Sequence, residues 1–265
     1  MMKTIYRALT AAALMMAPQL APGTAMAQSF WDGFDSNSYN PNLWIAESGR
    51  NGDPFGCAFQ PGMIVNGQGG NVALTLQNGS CSELKSKALY QYGTVQARLQ
   101  LSNIPGTVAS LFTYNSWYDS PGKPWTEIDI EYLPSYGNTL HTNVIFQASQ
   151  TGTYRQWEKY ISLDGYGINP MNGPVTAGFD WTASKIAWYV INSSGNKVYI
   201  RTITKSDQTN CDCIPASAWP SNPARIFANY WHGNNANSDS VNYFPKRYSG
   251  ASGRAVYDWI QFIDY

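Results

Sequence analysis

From Gln28 to the C-terminus, apolar residues recur at every second position in short runs, and no helical period persists beyond about two turns. Asn71-Val72-Ala73-Leu74-Thr75-Leu76 alternates, as do Gly93–Leu99 and Lys197–Arg201. Lys185–Ile191 and Ala255–Phe262 are rich in aromatic and β-branched residues, which favour a pleated, half-buried surface. Asn66-Gly67, Asn78-Gly79 and Ser194-Gly195 place turns between such runs. Many short strands at fairly regular spacing predict an all-β chain folded as a two-sheet antiparallel β-sandwich of jelly-roll type. No linker, repeat or low-complexity block divides it, so residues 28–265 read as one domain. Two stretches, 147–178 and 207–222, read as long irregular loops.

Residues 1–27 read as a secretory signal rather than part of the fold. Lys3 and Arg7 precede an apolar run from Ala8 to Ala17, and Ala25-Met26-Ala27 offers a small-x-small cleavage site before Gln28. That run is shorter than the ~20 apolar residues a bilayer span needs. The expected mature chain is therefore secreted, extracellular or periplasmic, with no membrane span. Charged residues are 13 % of the chain, about half the usual ~25 %, and Lys+Arg balance Asp+Glu. A neutral surface argues against nucleic acid, whose phosphates call for a basic one. Ten Trp and eighteen Tyr in a weakly charged secreted chain suit a flat, uncharged polar ligand such as a polysaccharide.

The side chains available for chemistry are few. His141 and His232 are the only histidines, so imidazole-rich zinc sites are excluded, and neither sits with a G-x-S-x-G elbow. Four cysteines in a secreted chain point to disulfides and allow three connectivities. We favour Cys57–Cys81, which ties an early loop to the start of a strand; Cys211-Asp212-Cys213 would bridge only if its backbone bends. Chemistry is left to carboxylates.

They are concentrated in one place. In Trp125-Thr126-Glu127-Ile128-Asp129-Ile130-Glu131-Tyr132, alternation puts Trp125, Glu127, Asp129 and Glu131 on one face and the isoleucines on the other. Acids are poor strand residues, and like charges side by side destabilise a sheet. The same repulsion is useful chemically, because crowded carboxylates cannot all ionise and one keeps its proton. A protonated acid beside a carboxylate is what glycosidic cleavage requires, and Trp125 offers a sugar a stacking platform.

The E-x-D-x-E stretch after Trp125 resembles the signature of glycoside hydrolase family 16, in its bacterial lichenase-like (endo-1,3-1,4-β-glucanase) form. The similarity extends through FWDGFDSNSYNPNLW at 30–44, SLFTYNS at 110–116, FDWTASKIAWYV at 179–190, IFANYWHG at 226–233 and VYDWIQF at 256–262. It implies a concanavalin-like jelly roll with a sugar-binding cleft across its concave sheet, and a retaining double displacement. Glu127 matches the nucleophile, Glu131 the general acid and base, and Asp129 the residue that tunes them. Trp125, Glu83, Phe112, Tyr114, Asn143, Asn229 and Trp231 match cleft-lining positions. Cys57 and Cys81 fall where lichenases carry their single disulfide.

The resemblance also implies a structural Ca²⁺ on the convex side, with Asp258 as side-chain ligand and backbone oxygens of Gly33 and near Gly70; no cofactor is expected for catalysis. Lys85 stands where lichenases usually have Arg, and Ile145 where an aromatic is expected. The resulting expectation is a secreted, monomeric retaining endo-β-glucanase that cuts mixed-linkage 1,3-1,4-β-glucan or a related β-glucan. The alternatives are a hydrolase or transglycosylase of the same fold acting on laminarin, xyloglucan or a bacterial exopolysaccharide, and a lectin-like module without turnover.

Overall fold

The alternating runs fold as strands. The computed structural model describes residues 28–265 except 37, 50, 51, 53, 68, 150, 151, 153, 207–217 and 235–245. The expected signal at 1–27 and the pair Cys211 and Cys213 lie outside the described residues. In chain order the first strands are β1 (Phe30–Asp32), β2 (Trp44–Ala46), β3 (Ala58–Phe59), β4 (Ile64–Asn66), β5 (Val72–Leu76) and β6 (Ser80–Ser86). The middle ones are β7 (Gly93–Leu101), β8 (Thr107–Asn115), β9 (Trp125–Tyr132), β10 (Thr139–Gln147), β11 (Tyr154–Gln156) and β12 (Lys159–Ser162). The last are β13 (Val175–Trp181), β14 (Lys185–Ile191), β15 (Lys197–Thr204), β16 (Arg225–His232) and β17 (Gly253–Asp264).

They form two sheets. One runs β15-β14-β13-β7-β17-β5-β4, with β1 added on β17; the other runs β11-β10-β9-β8-β16-β6-β2, with β12 also on β10. All pairings are antiparallel except that of the two-residue β3 with β6. The Asn78-Gly79 turn works as its composition predicts. Gly79 takes a φ of 78° while Gln77 and Ser80 exchange backbone bonds, so β5 passes into β6 within two residues. The Cys57–Cys81 disulfide ties the loop before β3 to β6, with Cα atoms 5.8 Å apart.

The core lies between the sheets. Ile128, Ile130 and Tyr132 of β9 face it together with Leu111, Val144, Phe179, Trp188, Tyr257 and Phe262. Two buried donors of the first sheet cross it to reach carbonyls of the second. Trp188 Nε1 donates to Asp129 O at 2.9 Å, and Tyr257 Oη to Ser110 O at 2.8 Å. The first bond holds β9, which carries the acids, and the second holds its neighbour β8.

Stretch 147–178 is more ordered than its composition predicts. Tyr154–Gln156 and Lys159–Ser162 pair with the two ends of β10 and extend the second sheet. These edge segments are short and largely polar, so no alternation betrays them. Most of stretch 207–222 lies outside the described residues.

Candidate active site

Antiparallel register brings side chains from five strands into common rungs on the face of the second sheet away from the core. One rung holds Ile145, Glu127, Tyr114 and Arg225. The next holds Asn143, Asp129, Phe112, Phe227 and Lys85, and the third His141, Glu131, Ser110, Asn229 and Glu83. Neighbouring strands lie ~4.8 Å apart, so each rung is a row of side chains in contact.

A cleft of about 510 Å³ opens on these rungs. It is lined by Trp125, Glu127 and Glu131 of β9, by Phe112 and Tyr114 of β8, by Asn229 and Trp231 of β16, and by Glu83 of β6. All but two of the expected catalytic and sugar-contacting residues therefore meet there. Asp129, 3 % exposed, lies beneath the cleft between the two glutamates. Asn143, beside it on β10, is also buried and donates to Gln156 Oε1 at 3.4 Å.

Aromatic rings form the walls. Phe112 and Phe227 stack with centroids 4.9 Å apart, Tyr114 meets Trp125 edge-on at 5.6 Å, and Phe55 packs on Trp231 at 4.5 Å. Glu83 accepts from Asn229 Nδ2 at 3.0 Å, and Asn229 Oδ1 in turn accepts from Ser110. Burial pushes the Glu83 carboxyl up to about 7 against that bond. Lys85 pairs with Glu47, and Arg225 holds Asp119 through Nη2 at 2.7 Å.

The acidic strand has the electrostatics that its crowding predicts. Burial raises both Glu127 and Asp129 above the ordinary carboxylate range. Their shared hydrogen bond lowers Glu127 and raises Asp129, and the charge of Glu131 raises both. The bond between them thus favours the acid form of Asp129 and the carboxylate form of Glu127, against the burial that raises both. Trp125 Nε1 also lowers Glu127, from a position short of hydrogen-bond geometry. Glu131 is held differently: His141 Nδ1 stands 2.7 Å from its Oε2.

The profile of Glycosyl hydrolases family 16 matches residues 51–261. The chain belongs to that family. It is a family 16 glycoside hydrolase. A β-glucanase of Bacillus amyloliquefaciens is 30 % identical over 241 residues, covering 88 % of this chain and 87 % of the relative. The solved β-glucanase of Bacillus licheniformis superposes with a TM-score of 0.71 at 26 % identity, covering 90 % of this chain and 99 % of that one. A laminarinase catalytic domain from Thermotoga maritima MSB8 shares the fold at a TM-score of 0.67 and 14 % identity, covering 89 % and 97 %.

Within this family 16 scaffold, sequence reading missed Phe55, Ser110, Asp119, Phe227, His141 and Glu158. Phe227 and Ser110 lie two residues from Asn229 and Phe112, so strand period alone points to them. Glu158 carries no such signal. The expected calcium ligands meet only in part. A Cβ built on Gly70 would lie 3.9 Å from the Gly33 carbonyl oxygen and 3.8 Å from Asp35 Oδ1, so those segments adjoin. The Asp258 carboxylate instead accepts from Arg98 Nε at 2.9 Å.

Proposed function

We propose that the chain is a secreted, monomeric, retaining endo-β-glucanase acting on mixed-linkage 1,3-1,4-β-glucan or a related β-glucan. The observation that carries the reading is the pair Glu127 and Glu131 in one aromatic-walled cleft, with Asp129 buried between them. Sugar rings lie against Trp125 and Phe112, which offer apolar faces, while Glu83 and Asn229 bond hydroxyls. Glu131 protonates the leaving glycosidic oxygen as the Glu127 carboxylate bonds to the anomeric carbon from the opposite side. Water then displaces Glu127, and Glu131 takes the proton of that water. The names of the β-glucanase relatives support the polymer class.

A second reading keeps the chemistry and changes the polymer to laminarin, xyloglucan or an exopolysaccharide, or the outcome to transglycosylation. Ile145 beside Glu127, and Lys85 committed to Glu47, favour it, because a point charge does not replace an arginine fork. Reducing-sugar release across a panel of these polymers separates the two. Fastest release from mixed-linkage glucan supports the first, and no release from any β-glucan removes it.

A structural Ca²⁺ is proposed apart from the chemistry, near Gly33, Gly70 and Asp258. The adjoining backbones support it, and Asp258 would exchange Arg98 for the cation. Melting should then occur at lower temperature in a chelator than in Ca²⁺; equal melting removes the ion.

A further inference from the structure

Glu131 is one end of a line of three side chains. Its Oε2 meets Nδ1 of His141 at 2.7 Å, and Nε2 of the same ring meets Glu158 Oε2 at 3.0 Å. His141 is fully buried and stands opposite Glu131 in the β9–β10 ladder. Glu158 precedes β12 at the edge of the sheet, with 36 % of its side chain exposed. The line thus runs from the cleft, through the sheet edge, to solvent.

Further groups among the described residues surround the ring. The Tyr160 ring lies 4.6 Å from the imidazole, with Tyr136 against Tyr160 in turn. Arg201 of β15 donates to the carbonyls of Thr142 and Trp157 on either side of the line; Glu158 is lowered first by its bond to His141 and further by the charge of Arg201. On β9 the next acid is Asp129. A carboxylate only accepts, so an imidazole facing two carboxylates makes both bonds only with a proton on each nitrogen. Burial works against that charge, but the bonds and charges of Glu131 and Glu158 outweigh it and raise His141 to about 9.

We propose that His141, held charged by Glu158, is the proton store of Glu131. The inference rests on the reading of Glu131 as acid and base. Before the glycosidic bond breaks, the Nδ1 proton crosses to Glu131 Oε2 and leaves a neutral imidazole. Glu131 then gives a proton to the leaving oxygen while Glu127 bonds to the anomeric carbon. In the second step water adds as the bond to Glu127 breaks, Glu131 takes the water proton, and a proton returns from Oε2 to Nδ1. The cycle closes with no net change. His141 and Glu158 touch no substrate atom; they are positioning residues that set the pH at which Glu131 is loaded.

The test compares the parent with His141→Gln and Glu158→Gln on a β-glucan and on an aryl β-glycoside with a dinitrophenolate leaving group, which needs no protonation. The alkaline limb of kcat/KM reports the acid in the free enzyme, and removing its proton supply should cost about tenfold or more on the polymer. In His141→Gln that limb should move to lower pH by about one unit or more, while release of dinitrophenolate stays near the parent rate. Glu158→Gln should move the limb the same way by less.

A limb that superimposes on that of the parent, or an equal loss on both substrates, overturns the proposal. If His141→Gln does not fold, Glu158→Gln at its partly exposed position decides alone. If the parent cleaves no β-glucan, the proposed function has failed. The pairing is then read by NMR of ¹³C-labelled histidine: His141 should titrate well above the ordinary imidazole range and fall in Glu158→Gln, and an ordinary titration in the parent overturns it.

Discussion

Glu127 and Glu131 differ in their partners rather than in their chemistry. Glu127 shares a hydrogen bond with Asp129, and Glu131 faces an imidazole bonded at both nitrogens, so one strand presents two carboxyls in different surroundings. Replacing either with Gln keeps the shape and removes the ionisable oxygen. Each should lower turnover by the ~10²–10⁴-fold of one positioned acid or base, and binding of the polymer should survive. Steady-state rates and calorimetric binding check this; near-parent turnover in either variant would contradict it. The acids were legible in the sequence because three of them oppose the preferences of a strand. His141 was visible only as a residue type, since its contact with Glu131 depends on the register of two strands, which alternation does not fix. Glu158 reaches the site from a segment without a periodic signal, and only the folded edge reveals it.

At the scale of the element, β9 holds its acids steady because its other face is locked. Ile128 and Ile130 are buried, and Trp188 from the opposite sheet bonds the carbonyl of Asp129. Trp188→Phe keeps most of the ring volume but leaves that carbonyl without its cross-core donor. It should destabilise the fold by about 0.5–1.5 kcal/mol, the net contribution of one hydrogen bond. Denaturant unfolding measures the loss, and an unchanged midpoint would show that the bond contributes nothing. Strands such as β5, β7, β14 and β17 were readable from alternation because each buries one face on a shared core. β11 and β12 were not, since edge strands of Tyr, Arg, Gln and Lys look like loop.

For the molecule as a whole, the site leaves a mark on stability. Glu83 is raised to about 7 and His141 to about 9, and burial raises Glu127 and Asp129 too. Each of these groups binds its proton more tightly folded than unfolded. The stability it contributes is full below its unfolded value and is lost as pH rises through its folded value. For Glu83 the window runs from 4.5 to about 7, and for His141 from 6.5 to about 9. Asp180 and Glu158 are lowered and act in the opposite sense, at and below the ordinary carboxylate range. Melting temperature at constant ionic strength should therefore be highest in mild acid and fall toward pH ~9. A rise across that range would show that the acids are solvated rather than crowded.

The central claim is that Glu127 attacks the anomeric carbon while Glu131 serves the leaving group. Proton NMR of the first reducing ends released from a β-glucan tests it most directly. Two displacements at one carbon place the β-anomer first, with the α-anomer growing only by mutarotation. An α-anomer formed first would mean that water, not Glu127, attacks, and the mechanism given to this cleft would be wrong.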